Sequence, residues 1–532
     1  MIISKEFYDK SDPTYKKAID KLERKLADIK NGKDSCNHVF FGKDKFDKFE
    51  STILNFSKKY LTPKAYWNFY MRYFGIVCHD QNWCEGSCKI AKRALFHLCY
   101  YENWNHLGDQ CLKAYGERYL KLLDFQYWHD AAIYEGYDGF INESYLQHPH
   151  SYLRECLRHF EKKATSRPSS KIYKQYEKMQ TLYAKIKSVE ENVGKWFESL
   201  LEVDDDEFVM NNVERRLGDN LFDVKLWKLY LTFLEEKKQY KKLLVTLSKY
   251  YGFFLDDKEM LEKYHEALIQ FVLLEKEFKS ADLQNDAKEV GDENDETNEK
   301  SNKKIRDNFY DSYCYRLSIG SSEVFENDSL TITPTSNLKL FFKNSIIGGC
   351  IILEDFFSKD SVPSTFTSKL ISRLSCCTAK FLDIRKQHLS LVELQFLIKH
   401  GGVVQLDMSG CEIKDVNGDY VALENIMKHL PNIEELTLPN IRITSKTARV
   451  LAKQKFYNKL QLFGIDAIYG EPLDANLFLK FLKAVLDEKR SSCYFCFNRK
   501  FDDVAVDKFS QVMKDYVRSK SGISKLSISV SR

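Results

Sequence analysis

Along the first 280 residues, apolar and aromatic positions recur at helical spacing. In residues 61–74 (LTPKAYWNFYMRYF), Trp67, Tyr70, Met71 and Phe74 stand at i, i+3, i+4 and i+7, which is one stripe on one helix. Residues 226–236 (LWKLYLTFLEE) repeat the phrase with Trp227, Tyr230, Leu231 and Leu234, and Glu235 falls on the far side. Weaker copies begin at Trp104 (WNHLGDQCLKAY) and Trp128 (WHDAAIYE), and a degenerate one at Trp196 (WFESLL). Helices that repeat are helices that stack, so the pattern predicts an α-solenoid.

A second helix follows each of the two clear copies. In KIAKRALFHL (89–98), Ile90, Ala94, Leu95 and Leu98 form a narrower apolar face, and Ala91 and Ala94 permit close approach. In YKKLLVTLSKYY (240–251), Leu243, Leu244, Leu247 and Tyr251 share one side. Each unit therefore reads as a helical hairpin, and Trp67 to Trp104 spans about 37 residues, the length of two helices and two turns. Taken singly, each tryptophan is a core aromatic, because such side chains bury large areas.

Residues 280–304 (SADLQNDAKEVGDENDETNEKSNKK) contain no aromatic residue and almost no large aliphatic one. Burial there cannot offset the entropy of ordering, which predicts an acidic disordered linker over 279–305. Beyond it the period changes to two. VQLDMSGCEI (404–413) and IEELTLPNIRI (433–443) share one alternating arrangement, with Leu406 and Leu436 equivalent, and VALENIMKHL (421–430) between them is an amphipathic helix. Related strands occur at 381–384, 460–465, 493–497 and 526–530. One strand and one helix about every 24 to 33 residues predicts an α/β, leucine-rich-repeat-like domain over 306–532.

The W-x-x-Y helix followed by a helix containing R-A-L resembles the half-a-TPR (HAT) repeat of RNA-processing scaffolds. The order of phrases YLTPKAYWNFY, AKRALFHLCYYENW, AYGERYLKLLDFQYWHDAAIYE, YLQHP and VERRL is similar to that of the pre-mRNA-processing factor 39 family, over roughly residues 35–275. The resemblance implies a HAT-type solenoid over 1–278 that helps assemble the U1 small nuclear ribonucleoprotein at the 5′ splice site. It implies a nuclear location, proteins of that particle as partners, and room for a solenoid dimer. The chain departs from the family in lacking the glutamate and arginine that accompany several of the tryptophans, and the further C-terminal repeats. The C-terminal half resembles the degenerate leucine-rich repeats that follow F-box motifs, without their asparagine ladder.

Composition adds limits. The 532 residues suffice for two to four domains, and 43% apolar content for sizeable cores. Residues 1–13 are charged, and no apolar run approaches the roughly 18 residues needed to cross a bilayer, which predicts neither export nor membrane insertion. Fourteen cysteines without a regular framework then read as reduced thiols. The net charge of +4 conceals an acidic stretch at 282–300 of −6, which leaves +10 for the rest. That mild excess makes RNA contact indirect or secondary to protein partners.

Candidate chemistry is thin. Cys78, His79, Cys84 and Cys88 supply zinc-type donors, but at a spacing that matches no common module. Cys493 and Cys496 form a C-x-x-C inside an apparent strand, where a redox pair would open a helix. His148 and His150 flank Pro149 in an expected exposed loop, and the dipeptides His79-Asp80 and His129-Asp130 lack the further ligands of metal-dependent phosphohydrolases. No nucleotide, zinc-protease or nucleophile-elbow motif occurs, so the sequence predicts a non-enzymatic protein without cofactor. VPSTFTSKLISRL (362–374) resembles the start of an F-box, which gives the alternative of a ubiquitin-ligase substrate adaptor; the simpler expectation is a repeat helix opening after Pro363. The residues expected to matter are structural repeat anchors: Trp67, Tyr70, Trp104, Trp128, Trp227 and Tyr230.

Overall fold

The computed structural model describes residues 1–30, 43–77, 83–100, 121–124, 142–267, 313–320, 323–338, 342, 345–353, 362–487, 490–520 and 525–531. The chain forms two compact units, Met1–Leu157 with Ser170–Asp292, and Arg158–Ser169 with Glu293–Arg532. The first is helical and the second is built on a parallel sheet. The expected linker at 279–305 lies outside the described residues. Residues 158–169 fall inside the sequence range expected of the solenoid, yet they join the sheet unit.

In the helical unit the described helices are α1 (Lys5–Lys10), α2 (Pro13–Lys30), α3 (Lys43–Ser57), α4 (Lys64–Val77), α5 (Trp83–Phe96), α6 (Leu153–Lys163, which runs into the sheet unit), α7 (Ser170–Ser188), α8 (Val193–Leu201), α9 (Asp206–Asp219), α10 (Val224–Glu236) and α11 (Tyr240–Tyr251). Side-chain caps fix several starts: Asn192, Asp205 and Asp223 each accept a hydrogen bond from the backbone N–H three residues on. Helices α4 and α5 pack together, as do α10 and α11, so both expected hairpins are present. On α4 and α10 Trp67, Tyr70, Trp227, Tyr230 and Leu234 are all fully enclosed. On α11 the core takes Leu243, Leu247 and Tyr250, while Tyr251 is only half-buried.

The hairpins do not touch only their sequence neighbours. The Leu61 N–H donates to the Gly252 carbonyl at 2.9 Å, Lys64 pairs with Asp219 at 2.7 Å, and the Thr14 hydroxyl donates to Asp256 at 2.6 Å. Phe7 and Tyr15 pack their rings on Phe253 at 5.9 and 4.9 Å. Residues before Tyr70 and after Leu217 thus share one core. The approach is close enough to require glycine at position 218, where a Cβ would come within 1.8 Å of the Leu98 carbonyl oxygen.

In the sheet unit the strands are β1 (Tyr313–Ile319), β2 (Val324–Glu326), β3 (Ser329–Ile332), β4 (Ser345–Ile352), β5 (Leu374–Cys377), β6 (Phe381–Asp383), β7 (His388–Ser390), β8 (Gln405–Asp407), β9 (Glu412–Lys414), β10 (Glu435–Ile443), β11 (Leu462–Gly470), β12 (Arg490–Phe497) and β13 (Lys525–Ser531). The order is β13-β12-β11-β10-β8-β6-β4-β1-β3-β2, with β5 on β4, and among the described strand pairs of this sheet only β2–β3 is antiparallel. β7 and β9 form a separate parallel pair. Helices α12 (Phe366–Ile371), α13 (Leu391–Ile398), α14 (Leu423–Met427), α15 (Thr447–Leu451), α16 (Ala475–Val485) and α17 (Asp503–Lys520) lie between strands in the chain. From β6 to β13 each main-sheet strand pairs with the next after one helix, the connection that parallel pairing demands.

The two-residue period sets the register. Leu382, Leu406, Leu436, Phe463, Cys493 and Ile528 stand side by side across six strands, and the first five are buried. Leu406 and Leu436, expected to be equivalent, are direct partners. Among the described residues no helix is long and apolar enough to cross a membrane.

Candidate functional site

The residues on either side of that apolar row point to the opposite face. One polar row runs Asp383, Asp407, Thr437, Gly464, Tyr494 and Ser529. The Tyr494 ring lies across Gly464, where a Cβ would meet it at 2.1 Å. Arg385 binds Asp383 at 2.9 Å and Asp407 at 2.8 Å, and Asp407 also accepts from the Ser409 hydroxyl at 2.7 Å. Beside them Asp466 accepts from the Gly410 N–H at 3.3 Å and the Tyr494 hydroxyl at 3.4 Å. Burial raises the Asp466 carboxyl above its usual range, and the charge of Asp407 adds to this against the Gly410 hydrogen bond. The result is a polar face with its acids tied into position. Among the described residues no group of three or more histidine, cysteine, aspartate or glutamate side chains could hold a metal ion.

In a second row, Phe381, Gln405 and Glu435, the last two meet residues 158–163 of the same unit. Arg158 binds Glu435 at 2.6 Å, and Lys380 binds Glu161 at 2.6 Å.

The anchors of the helical unit sit in matching surroundings. The Tyr70 hydroxyl donates to Glu50 on the preceding helix α3, and the Tyr230 hydroxyl donates at 3.2 Å to Glu214 on the preceding helix α9. Trp67 stacks on His97 at 5.2 Å, whereas Trp227 meets Tyr250 edge-on at 5.6 Å and donates its ring N–H to the Leu221 carbonyl at 2.9 Å. Trp196, the degenerate copy, is buried with the Arg216 guanidinium 4.4 Å above its ring. Trp104 and Trp128 lie outside the described residues. So do the dipeptides at 79–80 and 129–130 and the side chains of the Cys78, His79, Cys84 and Cys88 group.

Glu214 was not evident from the sequence as more than a letter in the VERRL phrase. It is 2% exposed and binds Lys242 at 2.8 Å and Lys249 at 3.5 Å, in addition to Tyr230. Burial pushes its carboxyl up, but the charges of Lys249 and Lys242 outweigh this and hold it below the ordinary range. A helical stripe reports which side is apolar and says nothing of a charge that pairs across helices. The two lysines on the following hairpin were the only available signal.

No family model matches the chain. No curated protein matches it either. The site must therefore be read from its own chemistry, and two expectations change. His148 and His150 are buried, not exposed: His148 Nε2 lies 2.9 Å from Asp205 and His150 Nε2 lies 2.7 Å from the Tyr145 carbonyl. Proline between two histidines suggested a loop, and the loop is packed inward. Leu374 belongs to β5, so the helix after Pro363 is only Phe366–Ile371. Its Phe366, Thr367 and Leu370 enter the sheet core, and Thr367 donates its N–H and hydroxyl to buried Gln387, both at 3.1 Å. Cys493 of the C-x-x-C is core: burial raises its thiol to about 12, far from a reactive thiolate.

The buried histidines make stability depend on pH. Burial, with the charge of Lys249, pushes His97 down to about 3, and burial outweighs the Tyr145 hydrogen bond to bring His150 to about 4. Both folded values lie below the ordinary 6.5, so the unfolded chain takes up protons first as pH falls. Their contribution is complete above about pH 6.5 and is lost as pH falls toward about 4 for His150 and about 3 for His97, at about 1.4 kcal/mol per pH unit for each ring. Urea midpoints should fall from pH 7.5 to pH 5, less steeply in His150→Gln. A flat profile would contradict the burial of these rings.

Proposed function

We propose that the chain is a non-enzymatic scaffold in pre-mRNA splicing, whose HAT-type helical unit docks proteins of the U1 small nuclear ribonucleoprotein in the nucleus. The observation that carries the reading is the twofold use of one anchor device. In each of two hairpins a buried W-x-x-Y pair directs its tyrosine hydroxyl to a glutamate of the helix before it, so the repeat extends beyond the letters of the motif. The order of family phrases along the helical half gives the particular partner. The sheet unit is a leucine-rich-repeat-like domain in this reading, which rests on its one-strand, one-helix succession.

The alternative, a substrate adaptor of a ubiquitin ligase, has weaker support. An F-box helix must offer its apolar side to another protein, whereas Phe366 and Leu370 are 3% and 0% exposed within their own unit. Affinity purification of the full chain from nuclear extract, read by mass spectrometry, separates the two. U1 proteins are expected, and a ligase adaptor without any splicing protein would overturn the choice.

A further inference from the structure

The segment 158–169 is held by the sheet unit through both its charges and its backbone. Arg158, 8% exposed, reaches Glu435 at 2.6 Å with Glu434 at 3.8 Å, and Glu161 receives Lys380. Helix α6 ends at Lys163, so its last carbonyls have no partner within the helix. The sheet supplies donors to two of them, the Tyr315 hydroxyl to the Glu161 carbonyl at 3.0 Å and Arg316 to the Lys163 carbonyl at 3.2 Å, and just past the helix end the Asp328 N–H donates to the Thr165 carbonyl at 3.1 Å. Asn327 adds a bond to the Thr165 hydroxyl at 2.8 Å. These donors come from β1 and the β2–β3 turn, and the charges from β10 and the approach to β6, so four places in the fold converge on one helix end.

We propose that this face of the sheet is a docking site for a helix C-terminus carrying arginine and glutamate three residues apart, and that residues 158–169 are its resident, exchangeable occupant. The proposal is independent of the splicing assignment. The reciprocal charges select orientation, because reversing the helix would set Arg158 toward Lys380 and Glu161 toward Glu435. The carbonyl donors select a helix end over a helix middle, whose carbonyls are already bonded. While the occupant is in place its tethering gives it a high effective concentration, and a free competitor is excluded.

The test uses the full chain and a fluorescent peptide of residues 153–169. The wild-type chain should bind the peptide poorly. Arg158→Glu in the chain weakens the resident segment and should raise peptide affinity at least tenfold, and adding Glu435→Lys should abolish the gain. Equal binding by wild type and Arg158→Glu, or a gain that survives Glu435→Lys, would overturn the proposal. Should Arg158→Glu fail to fold, Lys380→Glu at a half-exposed position serves in its place, read by hydrogen exchange. Faster exchange in residues 158–169 together with β8 and β10 is expected, and unchanged exchange there would overturn the proposal equally.

Discussion

Replacing Glu214 with alanine should destabilise the protein by about 3–5 kcal/mol, the cost of breaking a buried ion pair from one side. The carboxylate is enclosed with Lys249, whose side chain is 4% exposed, while Lys242 is more open at 28%. Removal leaves Lys249 beside the face of Phe96, 5.1 Å from its ring centre, without the carboxylate it shared. The Tyr230 hydroxyl loses its acceptor in the same step. Replacing Glu214 and Lys249 together with leucine and methionine should cost clearly less than the single change, because no buried charge is left behind. The pH dependence has a defined sign. The folded carboxyl sits below its ordinary 4.5, so the stability it contributes is present above that value and disappears as the solution is acidified below it. Denaturant titration of the single and double variants at pH 7 measures the difference, and a double variant no more stable than the single would show that the ion pair is not what holds these helices.

Trp227→Ala should have an effect of similar size, about 3–5 kcal/mol, through lost transfer energy and the cavity left behind. The ring is fully enclosed, meets Tyr250 edge-on, and bonds the Leu221 carbonyl that leads into its own helix. Its neighbour Lys228 is exposed and should tolerate alanine within about 0.5 kcal/mol. Equal losses at the two positions in thermal unfolding of the full chain would mean that the apolar face of α10 has been assigned to the wrong side.

Local periodicity made most secondary structure legible. Period-two alternation placed β6, β8 and β10 to β13, and even the Leu406–Leu436 pairing followed, because a parallel succession with one helix per crossover repeats its register. The tryptophan stripes placed α4 and α10 for the same reason. What escaped detection was pairing between distant segments. Nothing in the periodicity of residues 153–163 indicates that Arg158 and Glu161 will find Glu435 and Lys380 more than 200 residues away, and so the segment was assigned to the helical half. The same limit hid Glu214 and the inward packing of His148 and His150. On α11 the choice of Tyr250 over Tyr251 turned on one residue of helical phase, which adjacent tyrosines cannot decide.

The polar face of the sheet had no signature as a site at all. Its aspartates at 383, 407 and 466 are each one letter in a strand, and they become a cluster only when the strands lie side by side. The exposed half of a strand pattern identifies a face, whereas its chemistry depends on the register of its neighbours.

We propose that this chain docks on the U1 particle through protein contacts, and the amount of U1 small nuclear RNA recovered from nuclear extract by the full chain, relative to other small nuclear RNAs and across increasing salt, tests it. Enrichment of U1 RNA that persists at moderate salt is predicted, because contacts made by protein lack the steep salt dependence of phosphate neutralisation. Recovery of all small nuclear RNAs alike, or enrichment that collapses as salt is raised, would contradict it.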